Sequence, residues 1–137
     1  MKTLVIYYSY SGKTKEVAEN LAEKESADLI EVKETTIRSK IKAYSLGCIA
    51  AVKRKQVDLQ PFDSDFSVYD KIIIAMPIWA GHPAPAINRV ISMLPEGKMV
   101  GLVMTSGSGN SKKSEAGTKD LIQARGCNVV SYRDVKN

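Results

Sequence analysis

The chain has one histidine, one tryptophan, two phenylalanines and two cysteines among its 137 residues. Each scarcity removes a class of function. A lone His82 and two widely separated cysteines, Cys48 and Cys127, supply neither the ligand spacing of a zinc site nor a readable Cys-His catalytic pair. Nor do two distant cysteines make a disulfide framework. No apolar run approaches the roughly 20 residues that span a bilayer. The N-terminus passes from one lysine, Lys2, into a strand-like run with no small-residue cleavage site. The expectation is a cytoplasmic chain without a signal peptide or membrane insertion.

Acid is also in short supply, with 15 acidic residues against 20 basic and a net charge of +5. That excess is scattered, apart from Lys53-Arg54-Lys55 and Lys112-Lys113, so it reads as a solvated surface and no nucleic-acid partner is expected. What is present is ordinary for a globular protein: 44% hydrophobic and 26% charged residues. The length suits one domain, residues 1–137, with one core.

The chain is organised around Ser9-Tyr10-Ser11-Gly12-Lys13-Thr14. Before it, Thr3 to Tyr8 is continuously apolar and β-branched or aromatic, as in a strand buried on both faces of a parallel sheet. After it, Val17, Ala18, Leu21 and Ala22 recur at helical spacing, and the helix is expected to end near Lys24 to Ser26. A tight, hydroxyl-rich turn between strand and helix aims backbone N–H groups and the positive end of the helix dipole at one point, which suits a phosphate. The alternative is that Ser11 or Thr14 merely caps the helix.

Four more strands alternate with helices. Asp28 to Val32 reads as an edge strand, Lys71 to Met76 as the strongest strand, Met99 to Met104 as the fourth and Cys127 to Tyr132 as the fifth. Ile37, Ile41, Tyr44, Cys48 and Val52 form one helical stripe within residues 36–55, with Gly47 as its weak point and Tyr44 and Cys48 as core. Pro85 opens a short helix with Ile87, Val90, Ile91 and Leu94 inward, and residues 113–125 form another, closed by Gly126. Such alternation requires a parallel sheet covered on both faces, and its ligands bind beyond the carboxyl ends of the strands.

That rule selects three loops. The first is the hexapeptide. The second, from Pro77-Ile78-Trp79-Ala80-Gly81 to Pro85, holds an indole in a proline-studded turn, where a planar ring could stack on it. The third, Thr105-Ser106-Gly107 to Asn110, supplies backbone donors and little bulk. Phosphate at one end and a planar heterocycle at the other describe a mononucleotide.

On these residues the chain resembles the flavodoxin family. The hexapeptide is similar to that family's Thr/Ser-x-Thr/Ser-Gly-Asn-Thr phosphate loop. The Pro77 to Gly81 segment resembles the loop that stacks an aromatic on the isoalloxazine ring, and Thr105-Ser106-Gly107 resembles the third flavin loop. The resemblance implies a doubly wound, five-stranded parallel sheet of order 2-1-3-4-5 and FMN as cofactor. It implies that Ser9, Tyr10, Ser11, Gly12, Lys13 and Thr14 surround the phosphate. Pro77, Ile78, Trp79, Ala80 and Gly81, with Thr105, Ser106 and Gly107, would line the ring. In the family a backbone carbonyl beside the ring turns toward the reduced flavin, and Ala80-Gly81 is where it is expected here. The implied role is electron transfer with a redox partner protein or a small quinone-like acceptor. An NAD(P)H-dependent quinone or flavin reductase is the alternative, with Tyr10, His82, Phe62 and Phe66 forming a second surface; a non-redox phosphate-binding module is a third.

Two departures stand out. Lys13 replaces the family's usual Asn. Only residues 133–137 follow the fifth strand, so the family's fifth helix is expected to be missing and an apolar face left for a homodimer or a partner.

Overall fold

The structure, a computed structural model, describes residues 1–35 and 46–137. Its strands are β1 (Thr3–Tyr7), β2 (Asp28–Glu31), β3 (Lys71–Trp79), β4 (His82–Pro83), β5 (Met99–Ser106) and β6 (Asn128–Lys136). Five of them pair in parallel in the order β2-β1-β3-β5-β6, which is the expected 2-1-3-4-5 winding. The sixth, β4, folds back antiparallel on the end of β3.

Apolar residues on both sides of these strands require cover on both sides. On one face Leu4, Ile6, Ile72, Ile74, Leu102 and Met104 pack with Ile87, Val90 and Ile91 of α3 (Pro85–Ser92) and Ile122 of α4 (Lys112–Gln123). On the other, Val5, Tyr7, Ile73, Ala75 and Val103 pack with Ala18 and Ala22 of α1 (Lys13–Glu25). The small alanines let α1 lie close to the sheet. Burying each large aliphatic side chain contributes about 1.5–3 kcal/mol, so β3, with Ile72, Ile73 and Ile74 all nearly inaccessible, anchors the centre.

Several expectations need correction. Of the stripe in residues 36–55, Ile37, Ile41 and Tyr44 lie outside the described residues. The described part is α2 (Cys48–Val52), and its inward face is not the predicted one. Ala51 is fully buried and Gly47 buried, whereas Cys48 is half-buried and Val52 is 47% exposed. Gly47 and Ala51 are four apart and so share a helix face; an indole lies against that face, which turns Cys48 and Val52 away from it. Cys127 is buried, and its thiol donates to the Pro95 carbonyl.

Phe66 is a core residue, 2% exposed, and cannot line a second surface. The polar connection around it folds over the sheet and is tied down by the bridge between Glu34 and Leu59. β3 runs on through Pro77 to Trp79, and β6 continues well past Tyr132 to Lys136. A bulge after Val100 makes the longer β6 ladder work: Val100 pairs Val129, Gly101 pairs Ser131, and Val130 is the extra residue. Past the bulge Tyr132 packs on the α3 and α4 side and Val135 on the α1 side. On that second side a cleft of about 240 Å³ separates α1 from β6. Its lining mixes Val17, Leu21 and Val135 with Asn20, Lys24 and Arg133, so it is less apolar than expected. Among the described residues, no helix is long and apolar enough to cross a membrane.

Candidate functional site

At the carboxyl end of β1 the chain enters a loop whose turn into α1 is made by Gly12, at φ 95. That left-handed conformation favours glycine. The Gly12 N–H donates to Ser9 Oγ at 3.1 Å, so Ser9 shapes the loop from inside. No side chain caps α1. Ser11 therefore leaves the first-turn N–H groups open, and Thr14 points elsewhere: its buried hydroxyl meets Thr105 Oγ1 at 2.7 Å. Thr105 in turn reaches the Met76 carbonyl at 3.4 Å, and Pro77 stands opposite Thr105 in the β3–β5 ladder. One hydroxyl chain thus fastens the first loop to the third and both to the end of β3. Lys13, Ser11, Gly12 and Tyr10 are exposed around it, and a Cβ placed on Gly12 would meet nothing within 4 Å. The mouth of the turn is open.

The second loop is a β-hairpin. Trp79 pairs His82 and Ile78 pairs Pro83, with Ala80 and Gly81 as the two-residue turn. Both turn residues have positive φ, 51 and 81, the pattern of a type I′ turn. Gly81 adopts it freely, while Ala80 bears about 1–2 kcal/mol of left-handed strain. The half-buried His82 places Nδ1 3.2 Å from the Ala80 carbonyl. Pro77 closes the base, its carbonyl accepting the Ala84 N–H at 3.1 Å.

The hairpin carries Trp79 to the phosphate-type loop. Its ring stands edge-on to Tyr8, centroids 6.0 Å apart, and to Tyr10 at 6.1 Å. Tyr8 is held by a 2.7 Å hydrogen bond from its hydroxyl to Glu34. Gly47 seats the six-membered part of the indole: a Cβ there would lie 2.7 Å from Trp79 Cζ3. Burial pushes the neighbouring Tyr7 hydroxyl up to about 12, aided by the charges of Glu31 and Glu19.

In the third loop Thr105 and Ser106 complete β5 and are buried, and Ser106 Oγ accepts the Gly109 N–H at 3.0 Å. Gly107 is exposed, and a Cβ on it would meet nothing within 4 Å. Behind the loop, Asp134 accepts both the N–H and the hydroxyl of the fully buried Ser111, and Tyr132 donates to the Ser111 carbonyl. This network fixes the start of α4 against β6.

The structure therefore brings the three predicted loops to one edge, with direct contacts from Thr14 to Thr105 and from Tyr10 to Trp79. Sequence reasoning missed Tyr8, Gly47 and Ser111. Tyr8 carried a usable signal, an aromatic adjoining the hexapeptide. Gly47 and Ser111 carried none, because their partners are distant in sequence. Among the described residues, no group of three or more His, Cys, Asp or Glu side chains could hold a metal ion.

A family model described as Flavodoxin matches residues 2–133. Similar solved structures include a flavoprotein from Lactobacillus acidophilus NCFM in complex with FMN, with 27% sequence identity and a TM-score of 0.79. That similarity covers 96% of this chain and 91% of the other. The apo-form of the flavoprotein from the same organism aligns at 27% identity and a TM-score of 0.74, over 97% and 92% of the two chains. A candidate flavoprotein from Bacteroides eggerthii DSM 20697 shares the fold, with a TM-score of 0.84 at 22% identity over 96% and 86%. No curated protein matches the sequence.

Proposed function

The chain belongs to the flavodoxin family, and on that premise we propose that it binds FMN in the three-loop site and transfers electrons through it. The observation that carries the reading is the convergence itself: the loop that opens the uncapped helix at Gly12 meets the hairpin's indole through Tyr10 and the third loop through the Thr14–Thr105 bond. These residues fit the cofactor. The uncapped N–H groups of α1, with Ser9, Ser11 and Lys13 nearby, provide neutral and cationic donors for a phosphate. Trp79 and Tyr10 offer aromatic surface for the ring, and Gly81 and Gly107 let backbone approach it. FMN, when bound, supplies the redox chemistry; the protein supplies its binding, orientation and electrostatics.

Ala80 and His82 have a distinct part. The Ala80 carbonyl lies at the tip of a turn that carries backbone strain, within reach of the His82 ring, so its orientation is set by a few weak constraints. A carbonyl so placed can turn toward the ring edge. The NAD(P)H-dependent reductase reading is weaker, since Phe66 is buried in the core and leaves Tyr10, His82 and Phe62 for a second surface. A cytoplasmic location and a homodimer through the α1 and β6 side accompany the proposal.

Titration with FMN tests the reading, followed by quenching of Trp79, the only tryptophan. Saturable quenching with one-to-one stoichiometry is expected. Absence of quenching and of flavin retention would refute FMN binding and leave a non-redox phosphate ligand as the occupant. NADPH consumption in the presence of a quinone would assign the reductase role instead.

A further inference from the structure

The rim of the site carries cations seated on glycines. Lys113, in the first turn of α4, lays its stem across the hairpin: its Cδ is 3.3 Å from where a Gly81 Cβ would stand. Lys136, at the end of β6, lies over the third loop, its Cβ 2.9 Å from the corresponding point on Gly109. Arg54 fills the notch at Gly117, its guanidinium donating to Thr118 Oγ1 and the Ser114 carbonyl. Bulk at any of these glycines would push the cation away. Lys112 and Lys13 are exposed at the starts of α4 and α1.

Three carboxylates lie near this arc, and none is paired with its cations. Glu115 pairs with Lys119 at 2.6 Å, and Asp134, which keeps its charge, is held behind the third loop by the N–H and hydroxyl of Ser111. Glu16 is exposed a turn into α1. Among the described residues, no carboxylate forms an ion pair with Lys13, Lys112, Lys113, Lys136 or Arg54.

We propose that this edge is a docking surface for an acidic partner protein, whose carboxylates face Lys112, Lys113 and Lys136 around the hairpin turn. The inference rests on the electron-transfer reading above. Each exposed lysine is worth little against a single carboxylate. Summed over a face, however, such charges steer encounter and orient the partner, which is what a short-lived carrier complex needs. A small anion would need converging, desolvated donors, and these lysines are spread over separate elements in water.

The test uses the FMN-loaded protein with two probe carriers, an acidic plant-type ferredoxin and the basic cytochrome c. Stopped-flow electron transfer with ferredoxin is expected to slow by roughly tenfold or more between about 10 mM and 1 M ionic strength. Exchange with cytochrome c should stay level or speed up. The triple variant K112E/K113E/K136E should lose the ferredoxin advantage at low salt and match the unmodified protein at high salt. In the protein prepared without FMN, amide shift mapping with ferredoxin should mark Gly81, residues 106–113 and Lys136, so docking is read separately from cofactor binding. Salt-independent ferredoxin rates, faster cytochrome c exchange at low salt, an unaffected triple variant or shifts elsewhere would each overturn the proposal. So would single-stranded DNA that binds the same residues more tightly than ferredoxin does.

Discussion

Replacing Gly47 with alanine tests how Trp79 is held. The backbone there is ordinary helix, φ −66 and ψ −40, so alanine is not strained and gains about 1 kcal/mol in helix propensity over glycine. Its methyl group, however, would sit 2.7 Å from Trp79 Cζ3 and 3.0 Å from Cε3. Carbon atoms rest at about 3.5–4.0 Å, so the indole must move by roughly 1 Å or α2 must retreat. Overpacking of that kind costs about 1–3 kcal/mol. The two effects leave a net loss of about 0–2 kcal/mol, which makes thermal unfolding a blunt readout. Local readouts are sharper. The edge-on contacts with Tyr8 and Tyr10 are each worth about 0.5–1.5 kcal/mol and depend on ring position. Gly47→Ala should therefore shift the emission of the single tryptophan. It should also weaken FMN binding by roughly 2- to 12-fold, the equivalent of one such stacking contact. In a Trp79→Phe background, which removes the clashing ring, the same change should have little further effect on FMN affinity. An unchanged emission spectrum together with an unchanged FMN titration would refute the seating of the indole on Gly47.

Thr14→Val and Thr105→Val should each cost about 1–2 kcal/mol in urea unfolding by breaking the buried 2.7 Å hydroxyl pair. The double variant should cost less than the sum, since both single changes break the same bond. Lys13→Asn should lower the potential of the bound flavin by at most roughly 40 mV, because the lysine is exposed and water screens it; a spectroelectrochemical titration with no change would place its ammonium away from the phosphate. Tyr7 binds its proton more tightly folded than unfolded, with a pKa near 12 against 10.0. Its contribution to stability is complete below pH 10 and is lost as pH rises toward 12. Unfolding midpoints measured from pH 9 to about 12 should fall over that window, and less steeply in Tyr7→Phe.

The parallel core was legible because its strands are unbroken β-branched runs, as in Ile72-Ile73-Ile74, and because Pro85 stands where a helix begins, whereas α4 ends at Gln123, three residues before the expected cap Gly126. The hairpin was not. Pro77 and Pro83 read as loop punctuation, yet Pro77 only ends the β3–β5 ladder and Pro83 closes a two-residue arm. The far half of β6 was hidden for a different reason. Ser131 to Lys136 holds only Tyr132 and Val135 among polar residues, which reads as a solvated tail, although those two side chains pack on opposite faces of the sheet. Cys48 and Phe66 show the limit of local pattern. Whether an apolar residue is inward depends on the element it meets, and for α2 that element is an indole from a distant hairpin. The hexapeptide was legible as a turn between strand and helix, because that is a local event, but only the other two loops separated a phosphate cradle from a helix cap.

The bulged β6 ends the strand order, and among the described residues nothing pairs with its outer side. A bare row of backbone groups is a template onto which any extended chain can add, including another molecule of the same protein. Charge and irregularity are what discourage this: Arg133 and Lys136 are exposed along the strand, and the extra Val130 breaks its flatness. Exchanging both cations for valine would leave a nearly continuous β-forming segment at an open margin, the kind of edge onto which further strands add.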